Sequence, residues 1–149
     1  LAILLIVLIS SNYYLRSIMH PVAEITEKVC DVCLDGHFTL LNSEGEITSI
    51  PSEVFHKLNP SGIILLEDSV ENIQSKIHRR SGDLWGCDLI ELFQKEELLQ
   101  ATLFSSECGI PVLKIDLTEN TRQIVKNLSK FLRQLYSIPL HLKEEKNGN

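Results

Sequence analysis

Apolar and polar positions alternate in blocks along this chain, and the block lengths suggest its elements. Four apolar runs are short enough for buried strands: "LAILLIVLIS" (1–10), "VCDVCL" (29–34), "IILLED" (63–68) and "IPVLKID" (110–116). Strands buried on both faces carry such unbroken runs instead of strict alternation. Between them, apolar residues recur at helical spacing. "SEVFHKL" (52–58) predicts a short helix with Ser52 as N-cap, after Pro51. Val70, Ile73 and Ile77 predict a helix capped by Ser69, running into His78-Arg79-Arg80 and stopping at Ser81-Gly82-Asp83. A long helix follows from an Asp88 cap to Cys108, closed by Gly109. The last helix is expected after Thr118, with Ile124, Val125, Leu128, Phe131, Leu132 and Leu135 as one apolar stripe.

"FTLL" and "EITSI" flank the polar turn "NSEG", a hairpin signal with Gly45 at the turn. Residues 15–28, interrupted by Pro21, read as loop and broken helix, and Asn59 to Gly62 as a turn. Short buried strands alternating with amphipathic helices predict an α/β fold, a parallel sheet flanked by helices on both faces. The division expected is a divergent or truncated segment over 1–28, an α/β core over 29–138 and a polar tail over 139–149.

Composition narrows the class without naming a function. The chain has 149 residues, 44% apolar and 23% charged, a normal single-domain balance. Its net charge of −6 and lack of a basic block argue against a nucleic-acid binder. The four cysteines, 30, 33, 87 and 108, are irregularly spaced in a chain long for a disulfide scaffold. Cys30-Asp-Val-Cys33 lacks the second pair that a zinc site wants, and in a strand its thiols point to opposite faces. The four cysteines therefore read as reduced thiols in a cytoplasmic protein, and Cys30 and Cys33 as buried, small apolar residues. The first nine residues are apolar but too few to span a bilayer, which takes about 20. A buried first strand, or the end of a truncated segment, is the favoured reading, with a membrane anchor as a minor rival.

Candidate chemistry gathers at two places. In open parallel sheets, ligands sit beyond the carboxyl ends of the strands. Asp35 lies at such an end, after "VCL". A carboxylate there can hold magnesium through water or position a nucleophile in phosphoryl transfer. Gly36 lets a ligand approach the backbone, and His37 can hydrogen-bond a phosphate. Asp-Gly is equally a common turn pair and His37 a packing residue, so spacing alone leaves both readings open. The second place is Lys76, Arg79 and Arg80, the one dense basic cluster. It suits either the negative end of a helix or a clamp on phosphates. The following "SGDLWGCD" has the make-up of a short lid, with Trp85 favoured as a packing residue over a base-stacking one. Glu91, Glu96 and Glu97 read mostly as a solvated helix face. No Ser/His/Asp or Cys/His arrangement follows from spacing, and the five histidines show no metal-ligand pattern.

"LDGHFTLLNSEGEITSIPSEVF", "IILLEDSVENIQSKIHRR", "DLIELFQKEELLQA" and "GIPVLKID", in that order, resemble the later part of bacterial ATP-binding proteins related to adenylate kinase. The resemblance runs over about residues 29–135. Asp35-Gly36-His37-Phe38, Ile50-Pro51 with Glu53 and Phe55, and Phe93-Gln94 with Glu97 carry it. It implies a P-loop NTPase fold of the nucleoside monophosphate kinase type, using ATP and Mg2+ for phosphoryl transfer. It further implies that Asp35 is the acid near magnesium and acceptor, and that Arg79 and Arg80 are lid arginines on phosphates. Lys76 stands where such proteins often carry another arginine. The sequence departs from the family at its front: G-x-x-x-x-G-K-[ST], which cradles phosphates, is absent from the 149 residues, and none of the 7 glycines precedes Gly36. A fragment of a longer reading frame and a degenerate homologue both fit that departure. Either way this chain alone is expected to lack kinase activity. The rival class is a non-catalytic interaction domain derived from a P-loop NTPase.

Overall fold

The computed structural model describes residues 6–10 and 32–137. The expected loop over 15–28, Cys30 and the polar tail lie outside the described residues, as does any further extent of the first apolar run. The chain divides into two compact units, residues 1–118 and 119–149.

The first unit is α/β. Its main sheet has four strands: β1 (Ile6–Ser10), β2 (Val32–Gly36), β5 (Gly62–Glu67) and β6 (Val112–Asp116), in the order β2-β1-β5-β6. The β5–β6 pair is parallel, from Ile63 against Val112 to Glu67 against Asp116. The first strand runs antiparallel to both its neighbours, β2 and β5. So β2, β5 and β6 share one direction and β1 threads between them against it. An apolar run reads the same in either direction, which is why the pattern of residues did not reveal this reversal. The hairpin β3 (Thr39–Leu41) and β4 (Ile47–Ser49) forms a second, two-stranded sheet. Its turn is closed by Asn42, whose Oδ1 accepts from the N–H groups of Glu44 and Glu46 at 2.9 and 2.8 Å. Gly45 has φ +81°, a left-handed conformation that favours glycine there.

Among the described residues this unit also has the helices α1 (Ser52–Leu58), α2 (Val70–Ser81) and α3 (Cys87–Cys108). The Ser69 cap is present, with its Oγ accepting from Asn72 N–H at 3.2 Å. Two expected caps are replaced. Pro51 occupies the N-cap of α1 and Gly86 that of α3, neither with a side-chain hydrogen bond. Ser52 and Asp88 therefore fall inside the first turn of their helices. Gly109 ends α3 in the left-handed region, as its position implied.

Helix α3, about 33 Å long at 1.5 Å per residue, spans both parts of the core. Ala101 and Phe104 pack with Phe38, Phe55, Ile63 and Leu65. Ile90 and Phe93 pack with Ile73 and Ile77 of α2, and with Leu41 and Ile47 of the hairpin. The thiol of Cys33 is exposed, against the expectation that it is buried; that of Cys87 is exposed and that of Cys108 half-buried. Cys33 lies on an edge strand, and Cys87 in the first turn of α3, where little covers a side chain.

The second unit contains α4 (Thr121–Ser137). Its cap is not Thr118. Asn120 Oδ1 accepts from Arg122 N–H at 2.8 Å, while Thr118 donates to Asp116 instead. Within α4, Val125 is exposed although the sequence places it in the apolar stripe.

Candidate functional site

Residues 32–36 extend because they pair with β1, and the strand continues through the acid-glycine pair instead of ending before it. Asp35 stands opposite Val7 and Gly36 opposite Ile6. Side chains alternate along a strand, so Leu34 turns to the Phe38 cluster while Cys33 and Asp35 share the exposed face. Burial, and then the charge of Asp35, push the Cys33 thiol up, which keeps it protonated. A Cβ on Gly36 would meet nothing within 4 Å. There is open space beside the backbone where a ligand would approach.

The next three residues are held from a distance. Glu97, in the middle of α3, is fully buried at 0% exposure. Its Oε2 accepts from Phe38 N–H at 3.0 Å. Its Oε1 accepts from Thr39 N–H at 3.0 Å and from the Thr39 hydroxyl at 2.8 Å. His37 Nδ1 stands 3.2 Å from the same oxygen, and the His37 ring meets the edge of Phe93 at 6.1 Å between centroids. Burying a carboxylate is costly unless several donors meet it, and here they do. Its charge predicts a solvated face for Glu97. A signal against that was present: Ile90, Phe93, Glu97, Ala101 and Phe104 form the buried side of α3, at spacings of three and four.

The basic cluster is split. Lys76 Nζ pairs with Asp68 Oδ2 at the carboxyl end of β5. Arg79 and Arg80, on the exposed last turn of α2, form no ion pair among the described residues. No hydrogen bond or ion pair joins Asp35 to these three among the described residues. In the sheet, β1 separates Asp35 from β5 by two strand spacings, about 10 Å. Trp85 packs on Phe93 with centroids 6.2 Å apart. Its carbonyl accepts from Gln74 Nε2 at 2.7 Å, which ties the 82–86 segment to α2.

The carboxyl ends of β5 and β6 border an open cleft of about 520 Å³ lined by Glu67, Asp68, Glu91, Gln94, Lys114 and Asp116 among others. Burial pushes the Asp68 carboxyl up, but donation from Lys76, Asn72 and Ser69 outweighs it and holds it below the usual carboxylate range. Asp116 is also lowered, chiefly because the hydroxyl and N–H of Thr118 donate to it. Both acids therefore stay ionised at neutral pH. The sequence already showed "IILLED" and "IPVLKID" ending in acids. It did not show that parallel pairing would put the two ends side by side.

A third group joins residues far apart in sequence. Glu107 Oε1 lies 3.0 Å from His56 Nε2, and His56 Nδ1 lies 3.7 Å from Cys108 Sγ. The order is that of a carboxylate-histidine-thiol relay. Burial and the neighbouring Glu107 push the Cys108 thiol up, and it ends a helix, where the dipole also disfavours a thiolate. That is the opposite of an activated nucleophile. Among the described residues, no three His, Cys, Asp or Glu side chains group as a metal site.

Comparison with known families bears on the first of these regions. Residues 12–84 match the model of an AAA domain. The match spans just under half of the chain and supports a P-loop NTPase family of the kinase type. It includes Asp35, His37, Lys76, Arg79 and Arg80, and stops before α3 and β6. No curated protein matches the chain. No helix among the described residues is long and apolar enough to cross a membrane.

Proposed function

We propose that this chain is an adenylate kinase-like, ATP-binding protein, and that the Asp35 turn is its magnesium and acceptor edge. The observation that carries the reading is Asp35 itself. It is an exposed carboxylate at the carboxyl end of a sheet strand, beside open space at Gly36, inside the segment that matches the AAA domain model. Magnesium keeps most of its waters and needs one or two carboxylates plus substrate phosphates. A single exposed Asp35 fits that habit, and magnesium bound there would neutralise phosphate charge. Arg79 and Arg80 carry guanidinium forks suited to phosphate oxygens. His37 lies two residues from Asp35, within reach of the same ligand, and Lys76 joins the phosphate side when its pair with Asp68 opens. The 149 residues hold no phosphate-cradling motif, so this chain alone binds nucleotide without turning over ATP at a kinase rate. Reduced thiols favour a cytoplasmic setting.

Calorimetric titration with ATP and AMP, each with Mg2+, tests this. Binding is expected, and Asp35→Asn and the Arg79→Ala/Arg80→Ala pair should each weaken it by about tenfold. Absence of binding up to about 10 mM, a free energy near −3 kcal/mol, contradicts the proposal. A second reading, a non-catalytic interaction domain, draws on Leu92, Leu99 and Leu103, which are all exposed and share one side of α3. It gains if nucleotides fail to bind.

A further inference from the structure

The shape of the turn after Asp35 is not explained by the turn's own residues. Gly36 is not in the left-handed region, and a side chain there would meet nothing within 4 Å. Glycine is therefore not required for the backbone path. Besides the hairpin bond from Ile50 N–H to the Phe38 carbonyl at 2.7 Å, the main-chain N–H groups of Phe38 and Thr39 are held by one side chain, fifty-eight residues beyond Thr39: the buried Glu97 carboxylate. An ionised carboxylate accepts only. Three donors from Phe38 and Thr39 already point at it, two of them main-chain N–H groups. His37 Nδ1 is at 3.2 Å from the same Oε1, with the His37 side chain 18% exposed and Glu97 fully buried. The contact lies outside hydrogen-bond geometry and acts through charge: a lone pair on Nδ1 facing the carboxylate would be repelled, whereas a proton there is attracted to it.

We propose that Glu97 is a positioning residue for the Asp35-Gly36-His37 turn. It clamps the main chain of Phe38 and Thr39 and holds the neutral His37 ring as its Nδ1–H tautomer. The orientation of the turn is thus set from α3, a helix outside the matched family segment. The turn itself forms without ligand. Its bearing on nucleotide binding rests on the function proposed above.

Long-range proton–nitrogen spectra of the full chain, labelled with 15N-histidine at about pH 8.5, above the histidine range, read this directly. His37 is assigned by the signals lost in His37→Gln. The wild-type ring is expected to carry its proton on Nδ1. In Glu97→Gln it should move towards the Nε2–H form that exposed histidines favour, and amide exchange at Phe38 and Thr39 should quicken by about tenfold or more. Thr39→Val removes one competing donor while keeping the side-chain shape, so it should retain the Nδ1–H form. If Glu97→Gln does not fold, the wild-type and Thr39→Val spectra decide. A wild-type ring protonated on Nε2 overturns the proposal, as does a Glu97→Gln protein with unchanged tautomer and exchange. The nucleotide arm is separate. Where the wild type binds AMP, Glu97→Gln should weaken it about tenfold, and unchanged affinity removes the positioning role. Where the wild type binds no nucleotide, the function proposed above fails, and the spectra alone judge the clamp.

Discussion

The carboxyl ends of β2 and β5 both involve acids, and they are built in opposite ways. Beyond β2, the buried Glu97 is met by uncharged donors from Phe38 and Thr39 and by the ring of His37. At β5, Asp68 is met by the ammonium of Lys76, a side chain 46% exposed to solvent. The first arrangement trades a large desolvation cost for several short hydrogen bonds in a region where nothing else can satisfy the acid. The second is an ion pair whose ammonium reaches solvent while the Asp68 side chain is only 6% exposed, and Ser69 and Asn72 keep donating to that acid when Lys76 swings away. One acid fixes main chain beyond β2; the other holds a cation at the end of β5.

Substitutions ranked by expected effect separate these two modes. Glu97→Ala should cost the most, about 3–5 kcal/mol, because it leaves buried N–H groups of Phe38 and Thr39 without an acceptor. The urea midpoint measures it, and a loss below about 1 kcal/mol would mean that water or another acceptor replaces the carboxylate. Phe104→Ala, in the cluster with Phe38 and Phe55, should cost about 3–4 kcal/mol by the same measurement. Ser69→Ala should cost about 1 kcal/mol, the worth of the cap it removes from α2. Lys76→Met should cost about 1 kcal/mol, because Asp68, although only 6% exposed, keeps its donors from Ser69 and Asn72. A Lys76→Met effect as large as that of Glu97→Ala would erase the contrast.

The pH dependence has a definite sign at the β5 and β6 ends. Asp68 and Asp116 are both held below the ordinary carboxylate value in the folded chain. Their contribution is complete above the unfolded value of about 3.9 and fades as pH falls through the lower folded values. Acid unfolding of Asp68→Asn should therefore be shallower than that of the wild type below about pH 4. Gly36→Ala sharpens the other end. With nothing near the added Cβ, stability should move by less than about 1 kcal/mol, while a nucleotide lying against that backbone would lose affinity.

Much of this fold could be read from residue patterns, and the failures have specific causes. Ser69, Gly45 and Gly109 act where their chemistry implied. The α/β class and the parallel pairing of β5 with β6 follow from apolar runs spaced by helices. The reversed direction of β1 does not, because an apolar run carries no polarity. Ser52, Asp88 and Thr118 are sound cap residues in isolation, but Pro51, Gly86 and Asn120 start those helices. Glu97 is the instructive miss. Charge alone argues for solvent, whereas its place in the stripe from Ile90 to Phe104 puts it inside, with donors supplied by a segment nearly sixty residues away. Asp35 and the arginines were legible as candidates. Their separation by β1, and the Lys76 pairing with Asp68, depend on topology that spacing does not encode.

The most direct test of the account is a map of amide shifts in a 15N-labelled chain titrated with AMP or ATP and Mg2+. Saturable shifts are expected at Asp35, Gly36 and His37 and at Arg79 and Arg80, with the Asp35 group lost in Asp35→Asn. Saturable binding that leaves the Asp35 turn unmoved, or no shifts at all at about 10 mM nucleotide, would contradict it.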